Sequence, residues 1–400
     1  MKKLLVLLSI ISLLITSTAC GSGIAYDVSN ISEYVVDGSS KFAFDIFKTI
    51  NSEDYDKNIF ISPLSISTAL TMTYNGAEGD TKEVMEKALG YTGIDRALVN
   101  ESYKNLISHL KKVDKDISLN IANSIWIREG ELINKEFINK NEKNFNAEVS
   151  SLDFSNPKSV DTINKWIKDE TEGKIEKMLT DPIDPLIVMY LINAIYFKGE
   201  WKEPFNPKNT SDSDFHAYDG NTITVEMMSR TGDYEYAKGK DYKAIRLPYG
   251  KDKTSMHVIL PDEGVDINEF IKNMTSEQWN NIRNSLAKTS GVQLKMPKFE
   301  LEYGIKSLTE SLKALGMEKA FAADADFSGI KEELFISDVL HKAVIEVNEE
   351  GSEAAAATVV IMPSSAPVEP ATFIADRPFI FFITDDITGT ILFMGKVLSI

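Results

Sequence analysis

Four histidines are the first residues to test for chemistry in this 400-residue chain: His109, His216, His257 and His341. None stands at metal-ligand spacing from another or from Cys20, so no zinc-type ligand set emerges. The turn and helix signatures of common enzymes are also missing. There is no G-x-S-x-G nucleophile turn, no H-E-x-x-H helix, no P-loop and no dinucleotide glycine fingerprint. "GSGIAY" (21–26) lacks the third glycine. "DADFSG" (324–329) begins like a calcium loop, but Phe335 occupies the position where a bidentate Glu is required, so a capped turn is expected. The residues give no positive support for an enzyme, and no cofactor or metal is expected.

The overall charge narrows the partners. With 60 acidic against 43 basic residues the formal charge is -17, which repels polyphosphate, so nucleic acid is excluded as a partner. The 43% hydrophobic content is ample for a large core. Cys20 is the single cysteine, so stability must come from that core and not from a disulfide within the chain.

Lys2 and Lys3 precede an apolar and serine run, Leu4 to Ile15, which ends in small residues, "TSTAC". Such a run is too short to span a bilayer and reads as an export signal, residues 1–19. Cleavage after Ala19 would expose Cys20 as a new N-terminus. This resembles a bacterial lipoprotein signal, with Cys20 as the lipidation site and Ser17 where that pattern favours Leu. Ser17-Thr18-Ala19 also satisfies the small-x-small rule of ordinary secretion, which would release a soluble protein. The lipid-anchored form at the cell surface is the preferred expectation. Residues 20–40 are expected to be a tether and 41–400 the folded domain.

Helices are expected first. "KFAFDIFKTI" puts Phe42, Ile46 and Phe47 on one helical face. Ser62 can cap a helix with Pro63 at its first position, closed by Gly76. Asp80 is expected to cap the next helix, with Glu83 three residues on and Gly90 as terminator. Strands follow. "SLNIANSIWI" alternates Leu119, Ile121, Asn123, Ile125 and Ile127 against Asn120, Ala122, Ser124 and Trp126. "LIVMYLINAIYF" (186–197) suits a buried middle strand, although its length also allows a helix. "FIFFIT", "DDITG" and "TILFMGKVL" make a hairpin. The class is mixed α/β (α+β), one fold of multi-domain size around a large, mainly antiparallel sheet.

One stretch, "VNEEGSEAAAATVVIMPSSAPVEPATFIADRPF" (347–379), begins like a helix, continues like a strand and ends rich in proline and serine. At a period of two, one face carries Ser352, Ala354, Ala356, Thr358, Val360 and Met362. The other carries Glu353, Ala355, Ala357, Val359 and Ile361. The first face is small and uncharged at its leading end and could slide into a packed sheet. A one-residue slip would instead bury the Glu353 carboxylate. Gly351 stands where a hinge is needed, and Pro363, Pro367 and Pro370 keep the distal part out of a regular ladder.

These residues resemble the serpins. "NEEGSEAAAAT" is similar to the hinge of the serpin reactive-centre loop and "DRPFIFFI" (376–383) to the strand after it. "NIFISPLSISTALTMTYNGAEGDT", "INKWIKDETEGKI", "LINAIYFKGEWKEPF", "LPY" (247–249), "MPKFE" (296–300) and "FSGI" (327–330) follow in the family's order. The resemblance covers nearly all of the chain beyond the signal and implies a suicide inhibitor of proteases. In that mechanism an exposed loop is cut, an acyl-enzyme forms, and the loop enters the main sheet as a new strand.

Carried over residue by residue, the resemblance implies a hinge made of Glu349, Glu350, Gly351, Ser352, Glu353, Ala354, Ala355, Ala356, Ala357 and Thr358. Counting seventeen residues from Glu349 puts the reactive bond at Ser365-Ala366. Counting back from Pro378 lands on Pro367, since the loop is about two residues longer than the commonest family length. Ser365 is preferred, with Ser364, Ala366 and Met362 as alternatives. Ser62, Ser65, Asn193 and His341 match the polar cluster beneath the middle of the sheet. Trp201, Lys298 and Glu349 match the region at its top. Small residues at the cleavage point suit an elastase-like or subtilisin-like protease. A monomer is expected, held to a membrane through the lipid on Cys20. The alternative is a non-inhibitory serpin-fold binding protein at the cell surface, and a secreted hydrolase would need a triad that cannot be located.

Overall fold

The structure is a computed structural model and describes residues 28–179, 182–184, 187–352 and 371–400. Helix α1 (Glu33–Glu53) leads into strand β1 (Ile59–Ile61), then helices α2 (Pro63–Tyr74), α3 (Gly79–Leu89) and α4 (Arg96–Leu110). Strand β2 (Ile117–Arg128), helix α5 (Lys135–Phe145), strand β3 (Glu148–Leu152), helix α6 (Lys158–Glu170) and strand β4 (Met189–Glu200) come next. Four strands follow: β5 (Ser211–His216), β6 (Thr222–Lys238), β7 (Tyr242–Tyr249) and β8 (Thr254–Pro261). After helices α7 (Ile267–Asn273) and α8 (Ser276–Ser285) come β9 (Ala287–Pro297), β10 (Phe299–Ser307), the short helix α9 (Thr309–Leu312) and β11 (Leu340–Val347). The chain ends with β12 (Gly351–Ser352), β13 (Thr372–Ile374), β14 (Phe379–Asp385) and β15 (Ile391–Val397).

The hydrophobic alternation places most of these elements. Strand β14 has all seven residues buried, as a strand covered on both faces must. Its Phe381 stacks on Phe60, while the next residue, Phe382, points the other way and meets Phe44, Phe47 and Trp279 edge to face. Each such ring removed from water contributes about 1.5–3 kcal/mol. Strands β14 and β15 form the expected antiparallel hairpin, within a sheet ordered β1-β15-β14-β8-β7-β6-β9-β13 with β5 paired to β6. The stretch that periodicity left open between helix and strand is strand β4, pairing antiparallel with β2 across eleven positions, Ile117↔Gly199 to Ile127↔Met189.

Strand β2 is buried on both faces. One face joins the main core, and the other, through Trp126, joins a second cluster with Ile163 and Ile167 of α6. Helix α6 therefore covers the outer face of this sheet.

Two local expectations are corrected. Helix α3 takes Glu78, not Asp80, as its N-cap residue, with no side-chain cap bond, and Asp80 sits in the first turn where its charge faces the helix dipole. Helix α1 begins at Glu33, inside the stretch read as a tether to residue 40. Ile31 and Val35 are buried there, so the packed domain starts before residue 41. A polar composition hid two well-spaced apolar anchors. Gly90 ends α3 in the left-handed conformation as expected.

Candidate functional site: the gap in the central sheet

Strands β12, β4, β2 and β3 form one sheet, and β10 and β11 form another. Among the described residues no ladder pairs β4 with β11. Strand β12 alone has begun to occupy the space beside β4, through the antiparallel pairs Gly351↔Glu200 and Ser352↔Gly199. A sheet so divided has unpaired strand edges facing one another, a ready template for one more strand.

The N-terminus of α2 bridges the two parts from below. Ser62 caps the helix, its side-chain oxygen accepting from the Ser65 amide at 3.1 Å while its hydroxyl donates to the Leu392 carbonyl at 2.7 Å. The Ser62 amide donates to Nε2 of His341 on β11 at 3.1 Å. The Ser65 hydroxyl donates to the Asn193 side chain on β4. Asn193 in turn donates to Asn123 on β2, and Asn123 donates to the Phe145 carbonyl at 2.7 Å. Ser62, Ser65, Asn193 and His341 are thus brought into one buried chain of hydrogen bonds, and each buried polar group in it has the partner that burial demands. Burial alone pushes the His341 imidazole down to about 4, so it is neutral at pH 7 and accepts from Ser62. Asn123 was not singled out from the sequence. Its signal was there, since an asparagine on the apolar face of a strand needs a partner.

At the top of the gap the root of β12 is held at several points. The Trp201 indole donates to the Asn348 carbonyl at 3.0 Å and the Trp201 amide to the Glu350 carbonyl at 2.8 Å. The Phe205 amide donates to the Glu349 carbonyl at 2.8 Å. Lys298 lies 3.6 Å from the Glu349 carboxylate and 3.3 Å from Glu226. Burial works against the charge on Glu349, but the Thr210 hydroxyl at 2.7 Å and Lys298 outweigh it and hold its pKa below the usual carboxylate value. Trp201 also stacks on Tyr249, ring centroids 4.4 Å apart, and the Tyr249 and Ser352 hydroxyls meet at 3.1 Å. Sequence reasoning missed Asn348, Thr210 and the role of Tyr249. Tyr249 lay inside the "LPY" motif, but its contact is with a residue about a hundred positions away.

Gly351 has φ of 143°, and a Cβ there would come within 2.2 Å of the Gly199 carbonyl oxygen. Only glycine fits this crossing of backbones. Of the expected hinge, Glu349, Glu350, Gly351 and Ser352 are described. Glu353, Ala354, Ala355, Ala356, Ala357 and Thr358 lie outside the described residues, as do Ser365, Ala366 and Cys20.

A family model described as "Serpin (serine protease inhibitor)" matches residues 37–400. The chain belongs to the serpin family. Among its relatives, the leukocyte elastase inhibitor of Bos taurus is 36% identical, over 90% of this chain and 98% of its own length. The thermophilic serpin tengpin in its native state superposes with a TM-score of 0.84 at 36% identity, covering 92% of this chain and 95% of tengpin. Human thyroxine-binding globulin with its ligand gives a TM-score of 0.83 at 30% identity, covering 92% of this chain and 99% of that structure. The serpin fold expected from the motifs is therefore the fold of the chain. The family inhibits proteases in general, yet includes a thyroxine-binding globulin.

Of the other histidines of this serpin, His216 is exposed, 3.2 Å from the Thr222 hydroxyl, and the remaining two are structural in their contacts. His109 faces Asp385 at 3.1 Å, both buried, and His257 packs edge to face on Trp279. In the "DADFSG" turn the Asp326 carboxylate accepts from the Ser328 amide and hydroxyl, as a capped turn does. Among the described residues no group of three or more His, Cys, Asp or Glu could hold a metal.

Proposed function

We propose that this serpin is a suicide inhibitor of an extracellular serine protease with an elastase-like or subtilisin-like specificity pocket. The observation that carries this reading is β12, a strand begun at Gly351 and Ser352 and continued in sequence by small uncharged residues on its inward face. The nucleophilic hydroxyl of the protease attacks the carbonyl carbon of Ser365. The C–N bond to Ala366 breaks, the new amine of Ala366 takes the proton, and residue 365 is left as an ester on the enzyme. The freed segment then adds to β4 beyond Ser352. Twelve or so new backbone hydrogen bonds, at about 0.5–1.5 kcal/mol each, give on the order of ten kcal/mol to distort the protease before water reaches the ester. The uncut form is held by a kinetic barrier.

The inhibitor works outside the cell, exported by residues 1–19 and held to the membrane surface by a lipid on Cys20. Soluble secretion after Ala19 is the alternative. Labelled palmitate entering the wild type but not Cys20→Ala supports the anchor, and no incorporation into either form supports secretion.

Incubation with pancreatic elastase and with subtilisin, followed by a denaturing gel, tests the main reading. A covalent adduct that survives denaturation supports it. Cleavage of the loop without any adduct to either enzyme contradicts it. The likeness to thyroxine-binding globulin favours one second reading, a carrier that never traps a protease, and that reading predicts the cleavage-only result.

A further inference from the structure

A cavity of about 350 Å³ opens beside the top of the sheet gap. Trp201 and Phe205 line it together with Arg230, Tyr234, Lys288 and Leu294. Its volume falls in the range of small-ligand sites, and Trp201, Phe205, Tyr234, Leu247, Pro248 and Leu294 supply apolar wall between charged side chains of both signs.

Most of its charged groups are already engaged. The Arg230 guanidinium donates to the backbone and carboxylate of Glu203 and lies 5.2 Å above the Tyr234 ring. Arg246 is held by Glu235, Asp252 and Asp386. Asp233 accepts the Gly291 amide at 3.3 Å. Two groups are left over. The Tyr234 hydroxyl is buried with no hydrogen-bond partner among the described residues. Burial keeps it a neutral O–H donor, its pKa pushed up to about 12. Lys288 is exposed at the rim and makes no ion pair among the described residues. A buried hydroxyl without a partner costs free energy, which a ligand acceptor would recover.

We propose that this cavity binds a small flat aromatic carboxylate, its ring against Trp201 and Phe205, its charge answered by Lys288 and the Tyr234 hydroxyl. The same Trp201 supports Asn348 and stacks on Tyr249, which touches Ser352. A ligand packed on Trp201 therefore stiffens the root of β12 and slows its further insertion. This regulatory consequence rests on the inhibitor reading, whereas binding itself does not.

Calorimetric titration of the intact protein with 2-naphthoate, and with its neutral primary amide, tests the site. Saturable one-to-one binding of the carboxylate is expected, about tenfold weaker for the amide and about tenfold weaker in Tyr234→Phe or Lys288→Ala, the scale of one lost hydrogen bond to a charged group. Tyr234→Phe keeps the ring and the fold. Absence of saturable heat at millimolar naphthoate, or unchanged affinity in both variants, overturns the proposal. Adduct formation with a trapped protease, followed with and without naphthoate, reads the coupling separately. Binding with an unchanged trapping rate keeps the site and removes the regulation. If no protease is ever trapped, the inhibitor reading fails while the titration still decides the site.

Discussion

The Ser352 hydroxyl meets the Tyr249 phenol at 3.1 Å, with both side chains buried beneath the sheet. The contact pins the face on which β12 enters and, with the pairs Gly351↔Glu200 and Ser352↔Gly199, sets the register of any further insertion. In the proposed insertion, the same register would set Ala354 opposite Phe197, Ala356 opposite Ile195 and Thr358 opposite Asn193, on the side that Ile195 and Phe197 turn to the core.

Ala356→Arg should therefore turn the inhibitor into a substrate. A guanidinium forced against Ile195 costs several kcal/mol, on the order of its desolvation. The fraction of encounters ending in a stable adduct should fall at least about tenfold, a change of 1.4 kcal/mol, while Ala357→Arg on the outer face should do far less. Equal losses from the two would refute the register.

Replacing Gly351 by alanine should destabilise the uncut protein by about 1–3 kcal/mol through strain at a positive φ and the clash with the Gly199 carbonyl. Denaturant unfolding reads this directly. A midpoint unchanged from wild type would mean that the backbone crossing at Gly199 is not a feature of the native state.

Acid should weaken the staple under the gap. The His341 imidazole protonates at about 4 when folded and near 6.5 when unfolded. Between those values the unfolded chain binds more protons, so stability is present above pH 6.5 and is lost as pH falls through 4. The full loss is on the order of 3 kcal/mol. Unfolding curves at pH 7.5, 5.5 and 4.5 should show that His341→Asn, which cannot titrate, loses less with acidification than wild type. Parallel losses would assign the acid sensitivity elsewhere.

The Lys298–Glu349 pair should matter little to global stability, because Lys298 keeps Glu226 as a second partner. Glu349→Gln should cost about 0.2–1 kcal/mol and less in high salt. It should have a larger effect on the rate at which the uncut protein inserts its own loop, followed by loss of trapping activity over days at 37 °C. An unchanged rate would mean that the backbone bonds from Trp201 and Phe205 alone hold the root.

Much of this was legible in the residues. The alternation in β2, the hairpin of β14 and β15 and the Ser62-Pro63 start of α2 follow from local pattern, because one face or one cap decides each. Ser62, Ser65, Asn193 and His341 could be grouped only through the family resemblance, since their contacts join positions far apart in the chain. Asn348 was hidden for the same reason, whereas Asn123, on the apolar face of a strand, signalled the need for a partner without naming it. The choice of Glu78 over Asp80 at α3 reflects tertiary contact, as the Glu78 amide is drawn to the Asp326 carbonyl. Strand β4 resisted periodicity because both its faces are covered, so nothing in its composition separates strand from helix.

The central claim is that the uncut chain stores free energy which insertion next to β4 releases. Cleaving the loop with a protease that is not trapped, then comparing thermal unfolding of cut and intact protein, measures this most directly. A cut form that melts well above the intact one is predicted, and a cut form melting at the same temperature or lower would contradict it.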